Sequence, residues 1–168
     1  ASIVSALKHN NCVTSMEVST LSDECSIHDT LAANTSLSTL IIKQVEGDEA
    51  WIALCKGLKA NTGITDLCLG DSTDIDGEEL SGTACQALSD YLGSTTTLQQ
   101  LTLRFFVLDA SILADGLSQN CCLRHLSLQQ VECETYAIFQ GLAKTSVQSL
   151  QFNDVEFDIG EWALLPTH

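Results

Sequence analysis

The chain is short of positive charge. Seven lysines and arginines stand against 22 acidic residues, a formal net charge of −15 over 168 residues. Binding a phosphate backbone needs a net cationic face, so no nucleic-acid partner is expected. Long apolar runs are also missing. Nothing approaches the roughly 20 residues of a membrane span, so no transmembrane segment is expected. No signal-peptide pattern is recognisable, and the expected location is intracellular and cytoplasmic, or organellar after removal of a targeting segment. Aromatics make up only 5% and there is one proline, yet hydrophobic residues reach 45%. That apolar fraction excludes a disordered chain, and the length fits one domain over residues 1–168 with a sizeable core.

Chemistry-bearing patterns are scarce. There is no nucleophile elbow, no phosphate-cradling glycine loop, no HExxH helix and no paired CxxC. The four histidines, His9, His28, His125 and His168, fall in different parts of the chain. Neither an enzyme nor a cofactor is expected.

What the chain has is repetition. An apolar residue, two others, an apolar, one other and an apolar recur six times. The triplets are Val13, Met16, Val18; Leu37, Leu40, Ile42; Ile64, Leu67, Leu69; Leu98, Leu101, Leu103; Leu123, Leu126, Leu128; and Val147, Leu150, Phe152. Their middle members are 24, 27, 34, 25 and 24 residues apart. A second pattern precedes each triplet. Leu7, Leu31, Leu58, Leu92, Leu117 and Leu142 are each followed three residues later by Asn10, Asn34, Asn61, Thr95, Asn120 or Thr145. Upstream of those leucines the apolar residues fall at helical spacing, as in Leu80, Ala84, Leu88 and Leu92. Each unit therefore reads as a helix, a turn holding Asn or Thr, and a short strand. Strands are expected near 13–18, 37–42, 64–69, 98–103, 123–128 and 147–152. Residues 1–7 read as the tail of an incomplete first unit, and 153–168, with Phe157, Ile159, Trp162, Leu164 and Leu165, as a terminal cap.

From about Val4 to Phe152 the pattern resembles the leucine-rich repeat, and within it the ribonuclease-inhibitor-like subfamily. The resemblance implies an α/β solenoid of about six repeats, an open horseshoe with parallel strands on its concave face and α-helices on its convex face. One unit cannot bury its own apolar stripe, so units stack. Two features depart from the family. The repeats are short, and the column where the family often places Asn or Cys holds Val45, Ser72, Phe106, Val131 and Val155. No buried ladder of asparagine side chains is expected.

Period-two alternation then gives the outward columns. One is Glu17, Ile41, Cys68, Thr102, Ser127 and Gln151. Its neighbours are Ser15, Thr39, Asp66, Gln100, His125 and Ser149, and Ser19, Lys43, Gly70, Arg104, Gln129 and Asn153. Lys43, Arg104 and Arg124 are placed on strands, with His125 beside the last and Phe105 at an edge. Arginine beside an aromatic is common at the energetic centre of protein interfaces. Ile41, Lys43, Arg104, Phe105, Arg124 and His125 are thus the candidate partner-binding residues. The expected function is a non-enzymatic interaction module presenting this face to a protein. The alternative is a small structural subunit of a larger assembly, held through its helices or its ends.

Other features carry weaker readings. The segment Gly70 to Glu79 offers Asp74, Asp76, Glu78 and Glu79 as calcium ligands. With Gly77 at the sixth place of an EF-hand loop, Thr83 stands where the bidentate glutamate belongs. The favoured reading is a helix starting at Asp76 or Gly77, with Glu78 and Glu79 in its first turn. Cys121, Cys122, His125 and Cys133 lack the paired spacing of a zinc set. The eight cysteines are expected reduced, Cys55 and Cys85 on helix stripes and Cys68 the most exposed. Seventeen of the 22 acids fall in strand-to-helix connections or first helical turns. An acidic rim along one edge is expected, and a partner of that rim would be basic.

Overall fold

In a computed structural model, which describes residues 6–22, 27–70, 78–143 and 145–155, each apolar triplet ends on a parallel strand. The strands β1 (Ser15–Leu21), β2 (Thr39–Val45), β3 (Asp66–Leu69), β5 (Gln100–Arg104), β7 (His125–Gln129) and β8 (Ser149–Asn153) form one six-stranded sheet in that order. Two short strands, β4 (Glu78–Glu79) and β6 (Phe106–Val107), pair separately and also in parallel. The fold class is α/β, and the sheet is not curled.

The register follows the repeat. Met16, Leu40, Leu67, Leu101, Leu126 and Leu150 lie side by side across all six strands. Burial alternates with a period of two: Leu40 and Ile42 are buried while Ile41 between them is half-buried. Four of the six middle anchors are 2% exposed or less. Met16 and Leu150, on the outermost strands, are only partly buried.

Among the described residues five helices alternate with the strands: α1 (Ile27–Ala33), α2 (Asp48–Ala60), α3 (Gly82–Ser94), α4 (Ala110–Gln119) and α5 (Thr135–Leu142). Each packs on the next. Their apolar stripes supply Leu54, Leu58, Leu88, Leu92, Leu113, Leu117 and Ile138 to one continuous core. Gly116 sets one of the closest approaches. A Cβ there would stand 2.2 Å from the Ser89 carbonyl oxygen, and Ser89 Oγ donates 2.7 Å to Ile112 O across the same contact. Gly57 and Gly141 hold the same place in their units, and Tyr91 takes it in α3. There a shallow depression of about 200 Å³ opens between α2 and α3, lined by Ile52, Cys55 and Tyr91 among others.

Three expectations are corrected. The strands begin about two residues after the first anchor of each triplet. The reason is local: the N–H groups of Val13, Leu37, Ile64 and Leu123 donate to an asparagine Oδ1 three residues earlier. Held in that turn, they cannot join the sheet. Second, an asparagine ladder does exist, in the turn before each strand and not in the column after it. Asn61 Nδ2 donates to Leu31 O and Asn34 O at 2.7 Å each, and its Oδ1 accepts from Gly63 N and Ile64 N. Asn34 repeats this on Leu7 O and Asn10 O, and Asn120 on Leu92 O. Third, Glu78 and Glu79 lie on β4 and not in a first helical turn. The helix starts later, capped by Ser81, whose Oγ accepts from Ala84 N. Asp74, Asp76 and Gly77 lie outside the described residues, as do residues 1–5, expected as the tail of a first unit, and 156–168, expected as a cap.

Candidate functional site

The sheet has one face packed on the helices. The outward columns read from the sequence are the observed register: Glu17, Ile41, Cys68, Thr102, Ser127 and Gln151 are successive partners, as are Ser15, Thr39, Asp66, Gln100, His125 and Ser149. Arg104, Gln129 and Asn153 are partners in the third column. These residues are exposed or half-buried.

The six candidate residues fall in three places. Ile41 and Lys43 lie on β2, half-buried, with Lys43 Nζ 3.0 Å from Glu17 Oε1 of β1. Arg104 ends β5 and Phe105 follows it. Arg124 sits one residue before β7 rather than on it, and His125 opens that strand. The Arg124 guanidinium donates 3.2 Å to Ser146 O. Since Arg104 pairs with Gln129, five residues beyond Arg124, the two arginines stand roughly 16 Å apart along the strands. They do not form one cluster.

One depression lies at the C-terminal ends of the strands. It has a volume of about 590 Å³ and is lined by Arg104, Phe105, Gln129, Gln130, Phe152, Asn153 and Asp154. Three of these residues, Phe105, Gln130 and Asp154, have positive φ, at 58°, 50° and 53°. Each directly follows a strand, and each turns the chain sharply off the sheet. The turn is tied to the next unit, since Phe105 N donates to Gln129 O and Gln130 N to Asn153 O. Left-handed backbone at a bulky residue such as Phe105 costs on the order of 1–3 kcal/mol. The next residues, Phe106, Val131 and Val155, return to the core.

Arg104 is the unusual member. Its Nε is buried and has no hydrogen-bond partner. Among the described residues no ion pair or hydrogen bond to its guanidinium occurs. A buried charged donor left without an acceptor costs about 1–3 kcal/mol or more. In the neighbouring unit the backbone of Gly70, at φ 96°, packs closely against Arg104. A Cβ there would collide with the Arg104 carbonyl oxygen. Gln129 Nε2 is engaged by Ser127 Oγ at 3.1 Å.

Gln130, Phe152 and Asp154 were not among the sequence candidates. Extending the Arg104 column by one residue would have found Gln130 and Asp154, since they stand one place past Gln129 and Asn153.

The cysteines behave mainly as core. Cys55 and Cys85 are buried on their helices with free thiols. Burial, reinforced by the Asp90 charge, pushes the Cys55 thiol up to about 12. Burial raises Cys85 and Cys122 as well. Cys68 is half-buried between Ile41 and Thr102, while Cys12 and Cys121 are exposed in turns. Cys68 is therefore not the most exposed thiol. Among the described residues no group of three or more His, Cys, Asp or Glu is arranged to hold a metal ion. Nor is any helix among them long and apolar enough to cross a membrane. Comparison with protein-family models and with curated proteins finds no match.

Proposed function

We propose that the chain is a short leucine-rich-repeat stack acting as a non-enzymatic interaction module, with the open sheet face as its binding surface for a protein partner. The observation that carries this reading is the strict register of outward columns across six strands. Such a face is rigid, so little ordering entropy is lost on binding. Short polar side chains, Thr102 and Ser127, leave its middle flat, and half-buried Ile41 supplies an apolar contact. The acidic composition argues against a nucleic-acid partner, and an intracellular setting is part of the same reading.

The test is co-purification from the native source with cross-linking and mass spectrometry, comparing wild type with a Thr102→Arg, Ser127→Arg variant. Both side chains point away from the core, so folding is expected to survive, as circular dichroism would check. Loss of the captured protein is the expected result. Unchanged capture by the folded variant overturns the sheet-face reading.

A second reading has its own observation. Val13, Met16 and Val18 at one end, and Val147, Leu150 and Phe152 at the other, are only partly buried. A subunit of a larger assembly would cover those ends. Association that weakens on Met16→Gln or Leu150→Gln, but not on the mid-face variant, would select it.

A further inference from the structure

The depression at the ends of β5, β7 and β8 carries more information than the flat middle of the sheet. It holds one cation with no side-chain partner among the described residues, three amides, and one carboxylate at its far side. From this arrangement we infer that it is a peptide site recognising an acidic and a basic side chain three residues apart on an extended segment of a protein partner. The inference rests on the interaction-module reading and makes its partner chemistry specific.

The acidic position follows from Arg104. A guanidinium presents a planar fork of donors that matches a carboxylate two bonds at a time. Its Nε is buried without a partner and the residue lines the depression, so a carboxylate that meets the guanidinium there pairs a charge that the described residues leave unpaired. On the β3 side the backbone of Gly70 packs directly against Arg104. The basic position follows from Asp154. Arg104, Gln129 and Asn153 are partners on three adjacent strands, and Asp154 is the next residue. Two strand spacings separate the backbone positions that carry the opposite charges by roughly 10 Å. An extended chain advances about 3.3–3.6 Å per residue, so about three residues bridge that distance. Asp154 also repels a second anion, and the net charge of −15 adds to that repulsion. A singly charged carboxylate is therefore preferred over a phosphate or a polyanion.

The rest of the lining suits a peptide. Gln129, Gln130 and Asn153 carry donors and acceptors in the combination a peptide backbone needs. Phe105 and Phe152 give apolar surface for the residues between the two charges. A volume of about 590 Å³ lies within the range of ligand sites. The strained Phe105 sits beside the unpaired guanidinium, and strain of this kind gathers at ligand clamps.

The full chain is to be used to select from a library of blocked octapeptides with one fixed glutamate and the other positions random. Enriched peptides are then titrated singly against the 15N-labelled chain. Enrichment of Lys or Arg three places from the glutamate is expected, with saturable shifts at the Arg104 Nε–H and at the amides of Phe105, Gln130 and Asp154. Changing the peptide glutamate to glutamine weakens binding at least tenfold, and so does Arg104→Met in the chain. No enrichment over a library with glutamine fixed overturns the inference. So does binding by Arg104→Met equal to wild type, or acetate or inorganic phosphate alone binding as tightly as the peptide. The peptide arms need only wild-type protein, so a variant that fails to fold does not compromise them. Partner capture lost on the mid-face variant but kept by Arg104→Met overturns this site alone. Capture kept by both overturns the face reading as well.

Discussion

The two edges of the sheet are built on different principles. On the helix-to-strand edge the connections are nearly uniform: residues 34–38, 61–65, 95–99 and 120–124 are five long, and 143–148 is six. Asn34, Asn61 and Asn120 are 3–5% exposed and make the same bonds in each unit. On the strand-to-helix edge the connections run from two residues (46–47) to twelve (70–81). Helix starts there differ as well. Gly47 and Glu134 cap with no side-chain bond, Ser81 accepts from one N–H, and Asp109 accepts from two. Glu46, Asp48, Glu49, Glu79, Asp109, Glu132, Glu134 and Asp154 are all exposed on it. A buried polar group must be satisfied by fixed geometry, which imposes one solution on every unit. An exposed loop is satisfied by water, so length, charge and backbone conformation are free to vary. The depression around Arg104 lies on the variable edge.

The sharpest way to break this contrast is Asn61→Ala. The change removes four hydrogen bonds and leaves the Leu31 and Asn34 carbonyls and the Gly63 and Ile64 N–H groups short of partners in a buried turn. At about 1–3 kcal/mol for each group left unsatisfied, a loss of roughly 3 kcal/mol or more is expected in urea unfolding. Glu46→Gln on the opposite edge is expected within about 0.5 kcal/mol of wild type. Similar losses from the two substitutions would erase the distinction.

The same contrast explains what could be read from the sequence. The apolar triplets gave the six strands, their order and their outward columns, because burial demands that pattern whatever the loops do. The asparagines stand at a constant spacing, yet the ladder they form lies before the strand and not after it, where the family often places Asn or Cys. A bond from a side chain to the previous unit's backbone leaves no periodic signature beyond the residue itself. On the other edge the failures have a different cause. Glu78 and Glu79 suited a helix start by charge, yet pairing with Phe106 and Val107 placed them on β4. Positive φ at Phe105, Gln130 and Asp154 belongs to no residue type and is set by the turn off the sheet. The site residues Arg104 and Phe105 were legible from their strand position and from an arginine followed by an aromatic, whereas their separation from Arg124 depended on register.

A smaller effect tests whether the ladder is a device that can be completed. Thr95 occupies the asparagine place in the longest unit and is 6% exposed. Its Oγ1 accepts from Thr97 N at a long 3.5 Å. Thr95→Asn supplies an Oδ1 able to reach two N–H groups and an Nδ2 directed toward the preceding unit. A gain of about 1 kcal/mol is expected, the usual net worth of one hydrogen bond. A loss in urea unfolding would mean that this turn has diverged in shape and that the ladder does not extend through it.

The smallest effect lies on the variable edge, at Asp109. Its carboxylate is held below the ordinary value of 3.8, first by the Ser111 hydroxyl and then by the Ile112 N–H, both of which donate to it. The folded-state value is depressed, so the stabilising contribution is complete above the unfolded carboxylate range and is lost as pH falls through the folded value. Stability should therefore decline through and below about pH 4 partly on account of this cap. The group is fully exposed and screened by solvent, so the effect is small. Other acids titrate over the same range, and the comparison that isolates it is Asp109→Asn. Asparagine also caps helices well but does not titrate. The melting-temperature difference between wild type and Asp109→Asn should change between pH 5 and pH 3, with wild type losing more. A constant difference over that window would show that the cap's charge contributes nothing. The acids of this edge would then be held there by water alone, leaving geometry as the only constraint on either side of the sheet.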